Sequence, residues 1–193
     1  MVGRSASLLN IASGPCRDLF EAFGENPDAN VNVHCVDMDA NAIDFAKQLT
    51  SHYSHRILFE QQNILKFQPT QSYDLVWSAG LFDYLSDRVF IKLIRQMSQW
   101  LQPGGSIVIG NFSTENPSRH PMEFCDWFLN YRNEDDLVNL AVEAGYPEDC
   151  IAVDAEPCGI NLFLRMTRPE SIEKWHDKHD VLRPKRTKSR SVR

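Results

Sequence analysis

Tyr73-Asp-Leu-Val-Trp-Ser78 and Ser106-Ile-Val-Ile-Gly-Asn-Phe112 bracket the stretch that decides the fold. Both are short apolar runs of strand-forming residues. Between them, Val89, Phe90, Leu93, Ile94, Met97 and Leu101 recur on one helical face, and Pro103-Gly-Gly105 is expected to end that helix. Strand, one-sided helix and strand make a βαβ unit, which requires parallel pairing. Working back toward the N-terminus, the alternation repeats. Leu8-Leu-Asn-Ile-Ala-Ser13 reads as a strand stopped by Gly14-Pro15, and Arg17 to Gly24 as a helix with Leu19, Phe20 and Phe23 on one face. Val31-Asn-Val-His-Cys-Val36 and Arg56-Ile-Leu-Phe-Glu60 are two more strands. They flank a helix carrying Ile43, Ala46 and Leu49, capped by Asp39 or Asn41. Toward the C-terminus, Asn133 and Asp136 form a capping box before Leu137, Leu140, Ala141 and Ala144, and Gly145 stops that helix. Ile151-Ala-Val-Asp154 and Asn161-Leu-Phe-Leu-Arg-Met166 close the chain as two antiparallel strands. The expectation is an α/β, Rossmann-like doubly wound sheet of seven strands, mostly parallel with an antiparallel last strand.

Composition sets the bounds around that pattern. The 193 residues are 42% hydrophobic and 24% charged, which suits one globular domain and excludes collagen-like, coiled-coil and wholly disordered chains. No apolar run approaches the ~20 residues of a membrane span, and the start lacks the apolar stretch of a signal peptide. Five cysteines without a C-x-x-C pair argue against a disulfide scaffold or a zinc site, so a reducing cytoplasmic location is expected, with no metal. Charge is uneven. Residues 1–167 carry 11 Lys and Arg against 22 Asp and Glu, while residues 168–193 carry 9 against 4. The acidic body disfavours a large nucleic-acid surface. These segments are taken as a core, 1–167, and a basic, flexible tail, 168–193.

In a doubly wound sheet, ligands sit at the carboxyl ends of the strands where strand order reverses. Ser13-Gly14, Asp37, Asn63, Ser78 to Gly80 and Asn111-Phe112 fall there. Only Gly14 is present where G-x-G-x-x-G would need three glycines, which argues against a dinucleotide cradle. A carboxylate at Asp37 suits two ribose hydroxyls, Met38 a flat base, and the Asn63 amide an adenine edge. Against these stand plainer roles, a helix cap for Asp37 and a turn for Asn63.

Five ordered stretches carry a resemblance: Leu9 to Pro15, Val36-Asp-Met-Asp39, Gln62-Asn-Ile64, Tyr73 to Leu85, and Leu101-Gln-Pro-Gly-Gly-Ser-Ile-Val-Ile-Gly110. Together they resemble the class I S-adenosylmethionine-dependent methyltransferases over roughly residues 7–167. The resemblance implies S-adenosylmethionine as cofactor, held by Ala12, Ser13, Gly14, Asp37, Met38, Asn63 and Ile64, with Ala79, Gly80, Leu81 and Tyr84 flanking it. It departs from the family at Asn10, where the first strand usually holds an acid, and at Ala12 and Cys16, where glycines are usual. Asn63 stands where Asp is frequent. Gly110 to Arg119, with Met122-Glu123, Asp126-Trp127 and Tyr131-Arg132, is similar to the methyltransferases of 3-hydroxypalmitic acid methyl ester signalling. That likeness implies a carboxyl or hydroxyl oxygen acceptor, such as a hydroxy fatty acid.

A carboxylate acceptor is already ionised at neutral pH, so it needs a positioning cation more than a base. Arg119, His120 and Arg132 are the candidate catalytic groups, with Glu123 as a base for a hydroxyl or amine acceptor. Phe112, Phe124, Trp127, Phe128 and Tyr131 are candidates for an acyl wall. Plainer readings stand beside these. Phe124, Trp127 and Phe128 at helical spacing read first as core, and Arg132 as a surface partner of Glu134 or Asp135. Two rival functions are a non-catalytic cofactor-binding module and an RNA- or protein-modifying enzyme recruited by the basic tail. Family members usually place helices before the first strand, so a lacking N-terminal cover, a homodimer or a covering partner is a further expectation.

Overall fold

The computed structural model describes residues 4–169, so all but the first two residues of the expected basic tail lie outside the described residues. The elements run β1 (Ala6–Ile11), α1 (Arg17–Glu25), β2 (Val31–Asp37), α2 (Ala40–Leu49), β3 (Ile57–Gln61), β4 (Tyr73–Ser78) and α3 (Asp87–Ser98). Then come β5 (Leu101–Phe112), α4 (Arg119–Phe124), α5 (Glu134–Ala144), β6 (Ile151–Ala155) and β7 (Asn161–Thr167). Short 3-10 turns cover Ser51–Arg56, Ile64–Lys66, Phe82–Tyr84 and Glu148–Cys150.

Seven strands form one sheet in the order β3-β2-β1-β4-β5-β7-β6. The β1 to β5 pairings are parallel, and β7 is antiparallel to both β5 and β6. The seven-stranded, mostly parallel sheet expected from the sequence is therefore the one observed, with β7 as its antiparallel strand. Period-two alternation splits the core into two layers. On β2, Val33 and Cys35 pack with Leu19, Phe23 and Ala46 of α1 and α2. Val36 faces the other way, into the larger cluster built on Phe90, Leu93 and Ile94 of α3 and Leu137 and Leu140 of α5.

Local signals place most ends. Asp39 accepts from Asn41 N at 2.9 Å and caps α2. Asn133 and Asp136 form the reciprocal capping box of α5, and Gly145 ends it at φ 110°. Gly24 lies inside α1, and Asn26 caps that helix instead. A larger difference concerns Leu101. Helical spacing assigned it to the stripe of α3, but α3 ends at Ser98 and Leu101 pairs with Tyr73 at the start of β5. Pro103-Gly-Gly105 is an irregularity within β5, where the pairing with β4 shifts register between Tyr73 and Leu75. The close approach there requires glycine. A Cβ on Gly105 would sit 3.0 Å from the main-chain oxygens of Gln102 and Tyr73.

Among the described residues, no helix is long and apolar enough to cross a membrane.

Candidate cofactor cleft and acceptor rim

Strand order reverses between β1 and β4, and the cleft opens at their carboxyl ends. Ser78 Oγ donates to Ile11 O at 3.2 Å and ties the two strand ends together. The loop leaving β1 then crosses toward β2. Ser13 N donates to Val36 O at 3.3 Å, and Gly14 N to Asp37 Oδ2 at 2.7 Å. The other carboxylate oxygen, Asp37 Oδ1, accepts from Asp39 N at 2.9 Å, and Asp37 O accepts from Gln62 N at 2.8 Å. One half-buried carboxylate thus draws together the loops after β1 and β2. An ionised carboxylate offers about four acceptor directions, so two remain for a ligand.

Beside it lies a cavity of about 160 Å³ lined by Ala12, Val36, Asp37, Met38, Asn63, Ile64, Leu81, Leu85 and Leu93. Six of the residues assigned to the cofactor from sequence meet there: Ala12, Asp37, Met38, Asn63, Ile64 and Leu81. Gly14 joins them through its hydrogen bond to Asp37. Ala79 and Gly80 are exposed past the end of β4. Tyr84 is not part of this cavity; its hydroxyl accepts from Trp127 Nε1 at 2.9 Å. Asn63 is partly committed, because its Oδ1 accepts from Leu65 N at 2.9 Å and caps a 3-10 turn. Gln62, Leu65 and Leu85 also line the cavity; Gln62 and Leu85 stood in quoted stretches without a role, and Leu65, a plain aliphatic, carries no local signal.

The Asp37 carboxylate and the apolar cavity beside it suit the hydroxyls of a ribose and the flat face of a base. A Cβ built on Gly14 or Gly80 meets nothing within 4 Å, so space is open above both. Ser13 Oγ is buried without a hydrogen bond of ordinary geometry, although it lies close enough to the Cys16 thiol to lower its pKa.

The segment after β5 forms a rim. Arg119 Nε donates to Glu123 Oε1 at 2.8 Å, and the guanidinium lies 4.9 Å from the Tyr131 ring centroid. Arg119, Glu123 and Tyr131 therefore meet, whereas His120 is exposed outside this cluster. Phe124, Trp127 and Phe128 are 90%, 48% and 66% exposed, which corrects their reading as core. They occupy the short α4 and the segment after it, and Trp127, the least exposed of the three, reaches Tyr84 through its indole N–H.

Arg132 needs a larger correction. It is 4% exposed and pairs with neither Glu134 nor Asp135. Its Nε and Nη2 donate to Asp87 Oδ1 at 3.2 and 2.8 Å. Nη1 donates to Phe82 O and Asn111 Oδ1, and Nη2 also to Leu85 O. These bonds commit its donors, so Arg132 fixes the loop after β4 rather than contacting an acceptor.

Asp83 was missed as a site residue. Its carboxylate is buried and accepts from Phe112 N at 2.6 Å, and its main-chain oxygen accepts from Asn130 N at 2.7 Å. Burial pushes its pKa up, against the Phe112 and Asp83 N–H groups and the Arg132 charge. It lay within the quoted Tyr73 to Leu85 stretch, but burial of a loop carboxylate has no local signal.

The fold is a doubly wound α/β domain whose cleft opens at the switch point of its sheet. The family model described as "Methyltransferase domain" matches residues 4–180, and the chain belongs to that family. A phosphoethanolamine N-methyltransferase of Plasmodium falciparum is 25% identical over 130 residues, covering 65% of this chain and 46% of that protein. The solved structure of the S-adenosylmethionine-dependent methyltransferase SibL superposes with a TM-score of 0.70 at 17% identity, covering 86% of this chain and 51% of that one. Human N-acetylserotonin methyltransferase, solved with its S-adenosylmethionine, superposes with a TM-score of 0.67 at 16% identity, covering 85% and 48%. The chain spans less than half the length of the curated relatives it matches.

Proposed function

We propose that the cleft binds S-adenosylmethionine and that the chain directs methyl transfer to an oxygen of a small molecule. The observation that carries this reading is the Asp37 carboxylate, tied to Gly14 N and bordering an apolar cavity. In this reading Asp37 accepts from the ribose hydroxyls, and Ile64, Leu81 and Met38 enclose the adenine. The Asn63 amide donors meet the adenine edge. Ala12, Ser13 and Gly14 border the methionyl arm, where Ser13 Oγ gains a partner, and Ala79 and Gly80 leave room beside it. When bound, the cofactor supplies an electrophilic methyl group on a sulfonium. The protein's contribution is to orient the acceptor and exclude water, worth ~7–11 kcal/mol in well-aligned systems.

The rim favours an anionic, partly apolar acceptor. With Arg132 committed to the fold, Arg119 is the cation offered to a carboxylate, through the guanidinium nitrogens its Glu123 pair leaves free, and His120 is the remaining candidate for proton transfer from a hydroxyl. The exposed Phe124, Trp127 and Phe128, with Tyr84, give apolar area for an acyl chain, which supports a hydroxy fatty acid as acceptor. Backbone strain at Ala12 and Cys16, both left-handed without being glycine, favours a second reading in which the cofactor binds without turnover.

Release of S-adenosylhomocysteine decides between them. The chain is incubated with S-adenosylmethionine and a panel of long-chain carboxylic and hydroxy acids, phenols and phosphoethanolamine. Release with carboxyl or hydroxyl acceptors is expected. Release with phosphoethanolamine alone contradicts the oxygen assignment, and binding without release across the panel supports the non-catalytic reading.

A further inference from the structure

Two thiols lie beneath the loop after β1. Cys16 stands at the N-terminus of α1, and Cys35 on β2 lies two residues before Asp37. Both are free and fully buried, and their Sγ atoms are 3.6 Å apart. A disulfide bond is about 2.05 Å long, so closing the pair takes a movement of roughly 1.5 Å. We propose that Cys16 and Cys35 are an oxidative modification site, joined by peroxide into a disulfide that distorts the cofactor loop and weakens cofactor binding.

The pair is chemically asymmetric. Cys16 Sγ donates to Cys35 Sγ at 3.6 Å; once Cys16 is ionised the Cys35 S–H can donate back, which holds the Cys16 thiol below its ordinary value against burial and the Asp18 and Asp37 charges. The same contact and burial push Cys35 far up. Cys16 is also the N-cap residue of α1, with no side-chain cap hydrogen bond, and the positive end of that helix favours its thiolate. The Cys16 thiolate attacks one peroxide oxygen, the O–O bond breaks, and the leaving hydroxide takes a proton to depart as water. Cys16 is then a sulfenic acid. Cys35 sulfur attacks it, the S–O bond breaks, and the Cys35 proton leaves with the hydroxyl as a second water. Two thiols lose two electrons and two protons, and one peroxide becomes two waters.

Geometry couples this bond to the cleft. Cys16 N donates to Ser13 O at 3.1 Å, and Cys16 itself is held at φ 53°. Drawing its sulfur toward β2 shifts the Ser13-Gly14 segment and, with it, the Gly14 contact to Asp37.

The effect on binding rests on the function proposed above; disulfide formation does not. The full chain is reduced, treated with hydrogen peroxide and digested with trypsin without reductant. Cleavage after Arg17 separates the two cysteines into peptides 5–17 and 18–47. The expected product is these peptides joined, with the loss of two hydrogens. Calorimetry with S-adenosylhomocysteine should then give an affinity about tenfold weaker, restored by dithiothreitol. Cys35→Ala should bind like the reduced chain and be insensitive to peroxide. Separate peptides with both thiols still alkylatable, or a linked chain with unchanged affinity, overturn the proposal. If the reduced chain does not bind the ligand, the function fails while the peptide map still decides the disulfide. Hydrogen exchange across residues 12–16 then reads its effect, and an unchanged rate there overturns the coupling.

Discussion

Ala12, Gly14 and Cys16 have φ values of 49°, 51° and 53°, so alternate residues of the first loop share the left-handed region. These are the three positions where the family resemblance leads one to expect glycine. The loop keeps the glycine backbone while two side chains bear its strain, on the order of 1–2 kcal/mol each. Ala12→Gly should therefore raise unfolding free energy by about 0.5–1 kcal/mol in urea denaturation, after the entropy of the unfolded glycine is offset. A loss of stability would contradict this. Asp83 gives a prediction of opposite character. Its folded pKa is raised by burial, so its contribution to stability is fully present below the ordinary carboxylate value of 3.8 and is lost as pH rises through the folded value. Asp83→Asn keeps an acceptor for Phe112 N and removes the titration. Comparing unfolding at about pH 4 and pH 7, the variant should gain on the wild type as pH rises; a constant difference, or one of opposite sign, would refute it. Tyr131 and Arg132 are the charged or titratable neighbours coupled to Asp83 that both proteins share.

At the scale of elements, what the sequence revealed depended on the range of the interaction. The Asp39 cap, the Asn133–Asp136 box and the Gly145 stop are set within one turn, and all three are observed. Leu101 was misplaced because its spacing from Met97 fits a helix, while its pairing with Tyr73 comes from across the sheet. Arg132 was misread for the same reason: its partners Asp87 and Phe82 O are 45 and 50 residues away. Here it joins the 3-10 turn after β4, the start of α3 and the end of β5. Arg132→Met should cost about 3 kcal/mol in urea denaturation, because the carbonyls of Phe82 and Leu85 and the Asn111 side chain lose a buried donor. Lys at this position should not restore it, lacking the planar fork. A loss under about 1 kcal/mol would match an exposed ion pair instead. Exposure of Phe124, Trp127 and Phe128 was equally hidden, since helical spacing identifies a face without saying what covers it.

For the molecule as a whole, alternation of strand and helix was enough to read the sheet, because each βαβ unit is local and its handedness and pairing are constrained. The carboxyl-end rule then brings Asp37, Asn63 and the first loop together from the sequence alone. The acceptor side was less legible, as it depends on how the 119–132 segment folds back over β5. Cofactor recognition is thus the central claim, and Asp37 its sharpest test. Titration calorimetry of the reduced full chain with S-adenosylmethionine and S-adenosylhomocysteine measures it directly. The account predicts saturable binding by the wild type, weakened by about 1–3 kcal/mol in Asp37→Ala through lost charge-assisted hydrogen bonds. No binding heat at about millimolar ligand, or an Asp37→Ala affinity equal to the wild type, would contradict it.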